Sequence, residues 1–433
     1  MSKGALSWVR RLDPSAWVIV AGAAVRVAAA LQFDPINGYD ARAHFLYADI
    51  LRAGSVPRVD SGLWTAQNPP LFYALALAFG VLGLGRRGGQ LVSVAAGIVR
   101  LVVADRLFRT MEVSVRAGAP PARLGPRLFA NLVHAFLPFA IRIDVFYSPE
   151  SLAATLAVTA TAVALRGSAW RTGVALGLAL LTKASAVAAL PATLWALRGA
   201  RRLAIAGAIA AAMLSLWAGP NLRSYGNPYP SGYYTDDDPV WSQPILARHP
   251  ASFYLPRWRW EALTWPYWER PVSMPNAFFL EAWGDYYNYL SLGPRFLPPP
   301  QTANMRALTR GMHITHVALA HLGLLFVAAL AVGTGSATRR IAAGAASRSE
   351  VALAILGAGY LAVALVFATV VPREDDGAVK ATYALAAAPI LSFWTGTTFA
   401  RLARSRIGAV VAVGIAAAPA VLAVVQRVVF RGP

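Results

Sequence analysis

The sequence predicts an all-α polytopic membrane protein, and three observations carry that prediction. Hydrophobic residues make up 57% of the 433-residue chain and charged residues only 14%, with a mean hydropathy of +0.49; soluble domains carry about 25% charge. Apolar runs recur from one end to the other, each long enough or nearly long enough to cross about 30 Å of hydrocarbon. The net charge of +20 sits in short arginine-rich clusters between those runs, which is the pattern of cytoplasmic loops and not of a nucleic-acid-binding face. Cysteine is absent, excluding thiol catalysis, disulfides and Cys-type zinc sites.

Taken in order, the first span runs from about Ala16 to Phe33 behind Lys3, Arg10 and Arg11, as in a retained signal-anchor, and Arg26 interrupts it. A polar loop, Asp34 to Asn68, follows on the external side. The run Pro69–Gly85 starts outside, and Gln90–Ala104 must also start outside if the arginine-rich segment 105–127 is cytoplasmic. Pro69–Gly85 is therefore expected to dip into the outer leaflet or lie along it, with Arg86-Arg87 as an external pair. Runs at Leu128–Tyr147, Ser151–Leu165, Thr172–Leu181, Ala184–Leu197 and Leu203–Pro220 come next. A loop rich in aromatics and prolines, Asn221–Met312, separates them from three or four more runs between His313 and Phe430.

Cation clusters at 166–171, 198–202, 339–348 and 401–406 then all face the cytoplasm, giving about eleven spans with the N-terminus inside. Three parts result: a module over 1–220 carrying the external loop 34–73, the external loop 221–312, and the C-terminal spans 313–433. No repeat of 20–50 residues and no inverted halves are visible, unlike many transporter folds.

Candidate chemistry gathers on the external side. Asp40 follows Gly38-Tyr39 and opens a helix-like stretch in which Asp40, Ala43, His44 and Tyr47 share one face. A carboxylate there can take a proton from an acceptor hydroxyl, with His44 or Tyr47 orienting the incoming group; it can equally do no more than cap the helix. Of the 40 basic residues only Lys3, Lys183 and Lys380 are lysines. In so arginine-biased a chain, Lys183 and Lys380 mark places where a compact ammonium is needed, and both fall on the external side. Snorkelling to the interface is the simpler alternative for each.

The pattern Asp40-x3-His44-Phe45-x-Tyr47, then Gly54-x2-Pro57, then Gln67-x-Pro69-Pro70-Leu71-x-Tyr73 resembles the first external loop of GT-C glycosyltransferases. Within that superfamily it is similar to the polyprenyl- and dolichyl-phosphate-sugar transferases, which include protein O-mannosyltransferases and the lipid A aminoarabinose transferase. Tyr147-Ser148-Pro149-Glu150 resembles the second external turn, Leu180-Leu181-Thr182-Lys183 a helix ending in Thr-Lys, Arg223 with Tyr225, Gly226 and Pro228 the motif after the seventh span, and Lys380-Ala381-Thr382-Tyr383 with Pro389 the late external motif. These recur in the family's order over most of the chain. Two departures stand out: Ala41 follows Asp40 where many members have a second acid, and Asn68 replaces a common Lys or His.

The resemblance implies a GT-C-type helical bundle with interfacial helices in the first external loop; the aromatic-rich loop itself suits a cap over the site, or equally an interfacial aromatic belt. It implies an inverting transfer of sugar from a polyprenyl-phosphate donor to an extracytoplasmic acceptor at the plasma membrane. Asp40 would be the base. His44, Tyr47, Glu150 and Asp285 would contact acceptor or sugar, with Arg142 and Asp144 supporting Glu150; Gln67, Lys183, Arg223 and Lys380 would meet the donor phosphate. Glu150 has a plainer reading, as an acid offsetting a helix dipole.

The sequence makes no cofactor certain, and a divalent cation is the lesser alternative. Asp236-Asp237-Asp238 lies in a proline-rich loop where acids are usually solvated, and His313, His316 and His321 lack a neighbouring carboxylate. Two other classes remain: a transporter or flippase of lipid-phosphate or solute, and a catalytically silent relative serving as an assembly subunit.

Overall fold

The computed structural model describes residues 13–37, 40–116, 124–230, 249–258, 260–264, 273–284, 303–370 and 380–428, and within them every regular element is helical. Among the described residues five helices are long and apolar enough to cross a bilayer: Pro14–Gln32, Ala200–Tyr225, His313–Ala342, Arg348–Val370 and Arg406–Val424. Four shorter apolar helices, Leu71–Leu84, Glu150–Leu165, Ala169–Thr182 and Ala184–Leu197, accompany them. This is the character of an integral membrane protein. By length and composition five helices qualify as spans, against the eleven expected.

Helix α1 (Pro14–Gln32) begins where Asp13 accepts a hydrogen bond from the Ser15 N–H and Pro14 presets the first turn. The polar loop that follows holds α2 (Ala41–Arg52), and its Pro-Pro end leads into α3 (Leu71–Phe79) with a π-helical turn over Gly80–Leu84. Together α3 and that turn reach about 21 Å at 1.5 Å per residue, the same length as the later apolar helix Ala169–Thr182.

Other sequence-derived boundaries moved. Gln90–Ala104 lies inside α4 (Arg87–Arg116), a 30-residue helix, so Arg106, Arg109 and Arg116 ride on the helix and not in a loop. Leu128–Tyr147 is two elements, α5 (Pro126–Phe136) and α6 (Pro138–Asp144). Leu137 between them is extended because Pro138 bars the residue before it from the helical region. After α7 (Glu150–Leu165) and α8 (Ala169–Thr182), the chain turns at Lys183 into a 3-10 stretch and α9 (Leu190–Leu197). Helix α10 (Ala200–Tyr225) carries Pro220 internally and contains Arg223, expected in a loop. After α11 (Met274–Trp283), α12 (Ala303–Ala342) starts inside the segment expected to be loop. The chain closes with α13 (Arg348–Val370), α14 (Ala388–Leu402) and α15 (Arg406–Val428).

The interruption of the first span by Arg26 has a structural cause. Arg26 and Arg100 are fully buried and both hold Asp144: Arg26 Nε donates to Oδ2 at 2.7 Å and Arg100 Nη2 to Oδ1 at 2.8 Å. Arg26 also donates to the Gly22 and Ala135 carbonyls, and Ser151 donates to Asp144. Buried charges persist in an apolar bundle only when paired and hydrogen-bonded in this way, and the cluster ties α1, α4, α6 and α7 together. Gly97 makes room for it, since a Cβ there would lie 2.4 Å from the Asp144 carboxylate.

A short recurrence also organises the bundle. Lys183-Ala184-Ser185 and Lys380-Ala381-Thr382 each begin with an extended lysine (φ −160°, ψ 138° and φ −116°, ψ 132°) and continue as 3-10 helix, over Ala184–Ala189 and Ala381–Ala384. Each then enters an α-helix whose second residue is proline, Pro191 in α9 and Pro389 in α14. Helix α13 is wedged between the two corners. A Cβ on Gly359 would lie 2.5 Å from the Ala188 carbonyl oxygen, and one on Gly357 would meet Ile390 at 2.9 Å and Ala387 at 3.5 Å. Residues two positions apart on a helix point about 200° apart, so Gly357 and Gly359 serve the two corners.

Candidate functional site

The site is built where the polar loop meets the two lysine corners. Asp40 precedes α2 with φ 54° and ψ 18°, a left-handed conformation that costs a non-glycine residue about 1–2 kcal/mol and that aspartate tolerates better than most. Its side chain makes no capping bond to the helix. Instead Oδ2 accepts from Lys380 Nζ at 2.9 Å, across 340 residues of chain. Helix capping is therefore not what this acid does.

Glu150, the first residue of α7, accepts from Lys183 Nζ at 2.5 Å, both side chains being largely buried. Lys183 also sits 5.5 Å from the centroid of the Tyr383 ring, a cation–π contact that joins the first corner to the second. Glu150 Oε2, the Ser148 hydroxyl and the Thr382 hydroxyl are buried, the first two next to each other.

His44 lies among these groups. Its imidazole feels the charges of Glu150, Asp40, Lys183 and Lys380, and its Nδ1 is 2.7 Å from the Tyr73 hydroxyl. Burial is the main influence on it and lowers its pKa from 6.5 to about 4; the two carboxylates pull it upward and the two ammoniums push it down. The ring is thus neutral at pH 7, inside a cluster of two carboxylates and two ammoniums whose charges cancel.

Tyr47 does not take the position expected of it. It is fully buried, donates to the Asn68 carbonyl at 3.1 Å and stacks on Tyr73 with ring centroids 3.7 Å apart. It braces the Pro-Pro segment against α2. Thr65 adds a second brace by donating to the Ala43 carbonyl. Gln67 ends the short 3-10 helix Trp64–Gln67 in this braced segment, half-buried beside Asn68.

Arg223 is not gathered into the cluster. It is exposed on the last turn of α10 and makes no ion pair among the described residues, whereas its neighbour Tyr225 reaches the loop by accepting from the Val59 N–H at 3.3 Å. The expected support of Glu150 by Arg142 and Asp144 is also overturned. Asp144 belongs to Arg26 and Arg100, and Arg142 donates to the carbonyls of Glu281 and Gly284. Asp285 and Asp236-Asp237-Asp238 lie outside the described residues, as do Gly38 and Tyr39. His313, His316 and His321 are on α12, and no group of three metal-ligating side chains occurs among the described residues.

Sequence reasoning thus named both acids, both lysines and the histidine that meet here, and gave no role to Tyr73, Thr382 or Tyr383. The repeated Lys-Ala-Ser/Thr was the signal that could have linked the two corners in advance. Compared with known proteins, the chain matches no family model and no curated protein significantly. The chemistry must be argued from the cluster itself, which offers a carboxylate able to take a proton, ammoniums able to hold an anion, and buried oxygens.

Proposed function

We propose that this chain is a GT-C-type membrane glycosyltransferase that moves a sugar from a polyprenyl-phosphate donor to an extracytoplasmic acceptor with inversion. One observation carries the reading. Asp40, Glu150, Lys183 and Lys380, singled out in sequence as base, sugar contact and phosphate contacts, converge on His44 from four distant parts of the chain. Two further points agree with it: the acid of the loop is not consumed in capping, and the cations beside it are the compact ones.

In this reading Asp40 takes the proton of the acceptor hydroxyl while that oxygen forms its bond to the anomeric carbon. The bond from that carbon to the phosphate oxygen breaks, and its electron pair leaves with the phosphate. Negative charge grows on the leaving phosphate, and Lys380 and Lys183 stabilise it where water is scarce. Glu150 Oε2 and Ser148 Oγ, buried next to each other, suit hydroxyl groups of the sugar or acceptor. The cluster lies at the external face of the plasma membrane.

The test uses the full chain in nanodiscs with a polyprenyl-phosphate-linked radiolabelled sugar and an extract of envelope lipids and glycans. Release of polyprenyl phosphate with labelling of an acceptor is expected, and Asp40→Asn should abolish both. Donor movement across a vesicle bilayer without covalent product would establish the transporter reading instead, and donor binding without turnover the silent subunit.

A further inference from the structure

The two lysine corners share a backbone path but not the same tightness. At the first, Lys183 and Glu150 are 2.5 Å apart with 17% and 13% of their side chains exposed, and Tyr383 covers the ammonium. At the second, Lys380 and Asp40 are 2.9 Å apart with 16% and 31% exposed. Asp40 is the most open of the four, and it is held in a left-handed backbone conformation that removes its side chain from its own helix. The first pair is the shorter and its carboxylate the more buried. At the second the carboxylate is the more exposed, so Asp40 keeps contact with water when an anion takes its ammonium.

We propose that the Asp40–Lys380 pair is an exchange latch: a phosphate entering the site takes Lys380 from Asp40, so that anion binding releases the carboxylate. The inference rests on the reading of Lys380 as a phosphate contact and Asp40 as the base, and it adds an order to the reaction. While Asp40 Oδ2 accepts from Lys380, one oxygen of the carboxylate is engaged and the ammonium stands beside it. Once phosphate holds the ammonium, both oxygens are open to the acceptor. Donor before acceptor is therefore the productive order, since an acceptor alone meets a half-engaged carboxylate. The ligand is a phosphate monoester or diester on a lipid, and inorganic phosphate offers the same oxygens without the lipid.

Competition for one ammonium makes a quantitative statement. The apparent affinity for the anion is reduced by the fraction of molecules in which the latch is open. Binding of citronellyl phosphate and of inorganic phosphate is measured by calorimetry on the full chain in nanodiscs, for wild type, Asp40→Asn, Lys380→Gln and the double variant. Asp40→Asn should bind citronellyl phosphate about fivefold tighter, since a partly exposed ion pair no longer competes. Lys380→Gln should bind it more weakly, and adding Asp40→Asn to Lys380→Gln should change nothing further.

Tightening that persists in the Lys380→Gln background reports simple repulsion between carboxylate and phosphate and overturns the latch, as does unchanged binding by Asp40→Asn. Either result leaves the transferase reading standing. Absence of citronellyl phosphate binding in folded wild type sinks both. Equal response to inorganic phosphate identifies the free ion as sufficient; a response confined to citronellyl phosphate assigns the latch to a lipid-borne phosphate. Thermal unfolding of each variant separates loss of binding from loss of fold.

Discussion

Lys183→Met is expected to destabilise the chain far more than an exposed lysine substitution would. At 2.5 Å and an effective dielectric constant of about 20, the Lys183–Glu150 attraction is roughly 6–7 kcal/mol before the desolvation of both groups is subtracted. Desolvation cancels much of it, so the pair as a unit contributes little. Removing one partner is different, because the buried Glu150 carboxylate keeps its desolvation cost and loses its compensation, an effect of about 3–5 kcal/mol. The Ser148 hydroxyl is the other donor acting on this carboxylate, and a neutral hydroxyl does not replace an ammonium.

The double variant Glu150→Gln/Lys183→Met removes both charges and should recover most of the loss. Glu150→Gln alone should cost less than Lys183→Met, since Lys183 keeps its contact with the Tyr383 ring. Thermal unfolding in detergent at pH 7, followed by fluorescence of the 13 tryptophans, ranks the four proteins. A double variant no more stable than Lys183→Met would show that the lysine acts through packing and not by compensating Glu150.

Three other outcomes follow from the same geometry. His44 has a folded-state pKa of about 4 against 6.5 when unfolded, so the unfolded chain binds its proton first. The stability it contributes is complete above pH 6.5 and is lost as pH falls toward 4, by about 3 kcal/mol; a His44→Gln profile should be flatter across that window. Gly359→Ala would place a methyl group 2.5 Å from the Ala188 carbonyl oxygen and should cost about 1–3 kcal/mol in thermal unfolding, with weakened phosphate binding at the neighbouring Lys183 corner. Tyr47→Phe should cost about 1 kcal/mol by losing its bond to the Asn68 carbonyl and should leave the acceptor KM unchanged; a raised KM would return Tyr47 to the acceptor.

Composition and periodicity by themselves determined that this is a helical membrane chain, because apolar length and charge placement are properties of local sequence. The rarity of lysine and the isolation of Asp40 and Glu150 among apolar runs were equally local, and they marked the groups that the fold gathers. Helix ends were less legible. Leu137 breaks a run that reads as continuous because of the proline after it, while Pro220 sits inside a helix that continues past it. Which outcome a proline produces depends on whether neighbours satisfy the freed carbonyl, and that is a tertiary matter.

Partners belonged wholly to the tertiary structure. Asp144 lies close to Glu150 in sequence, yet it is claimed by Arg26 and Arg100 on other helices. Tyr47 shares the sequence face of Asp40, yet packing against Tyr73 buries it. Arg223 is as cationic as Lys380, yet only the lysine reaches an acid of the loop. A residue's charge is written in its side chain, but the counter-charge and the dielectric around it are set by whatever other segment packs there, and that is why the loop acid met its ammonium 340 residues away.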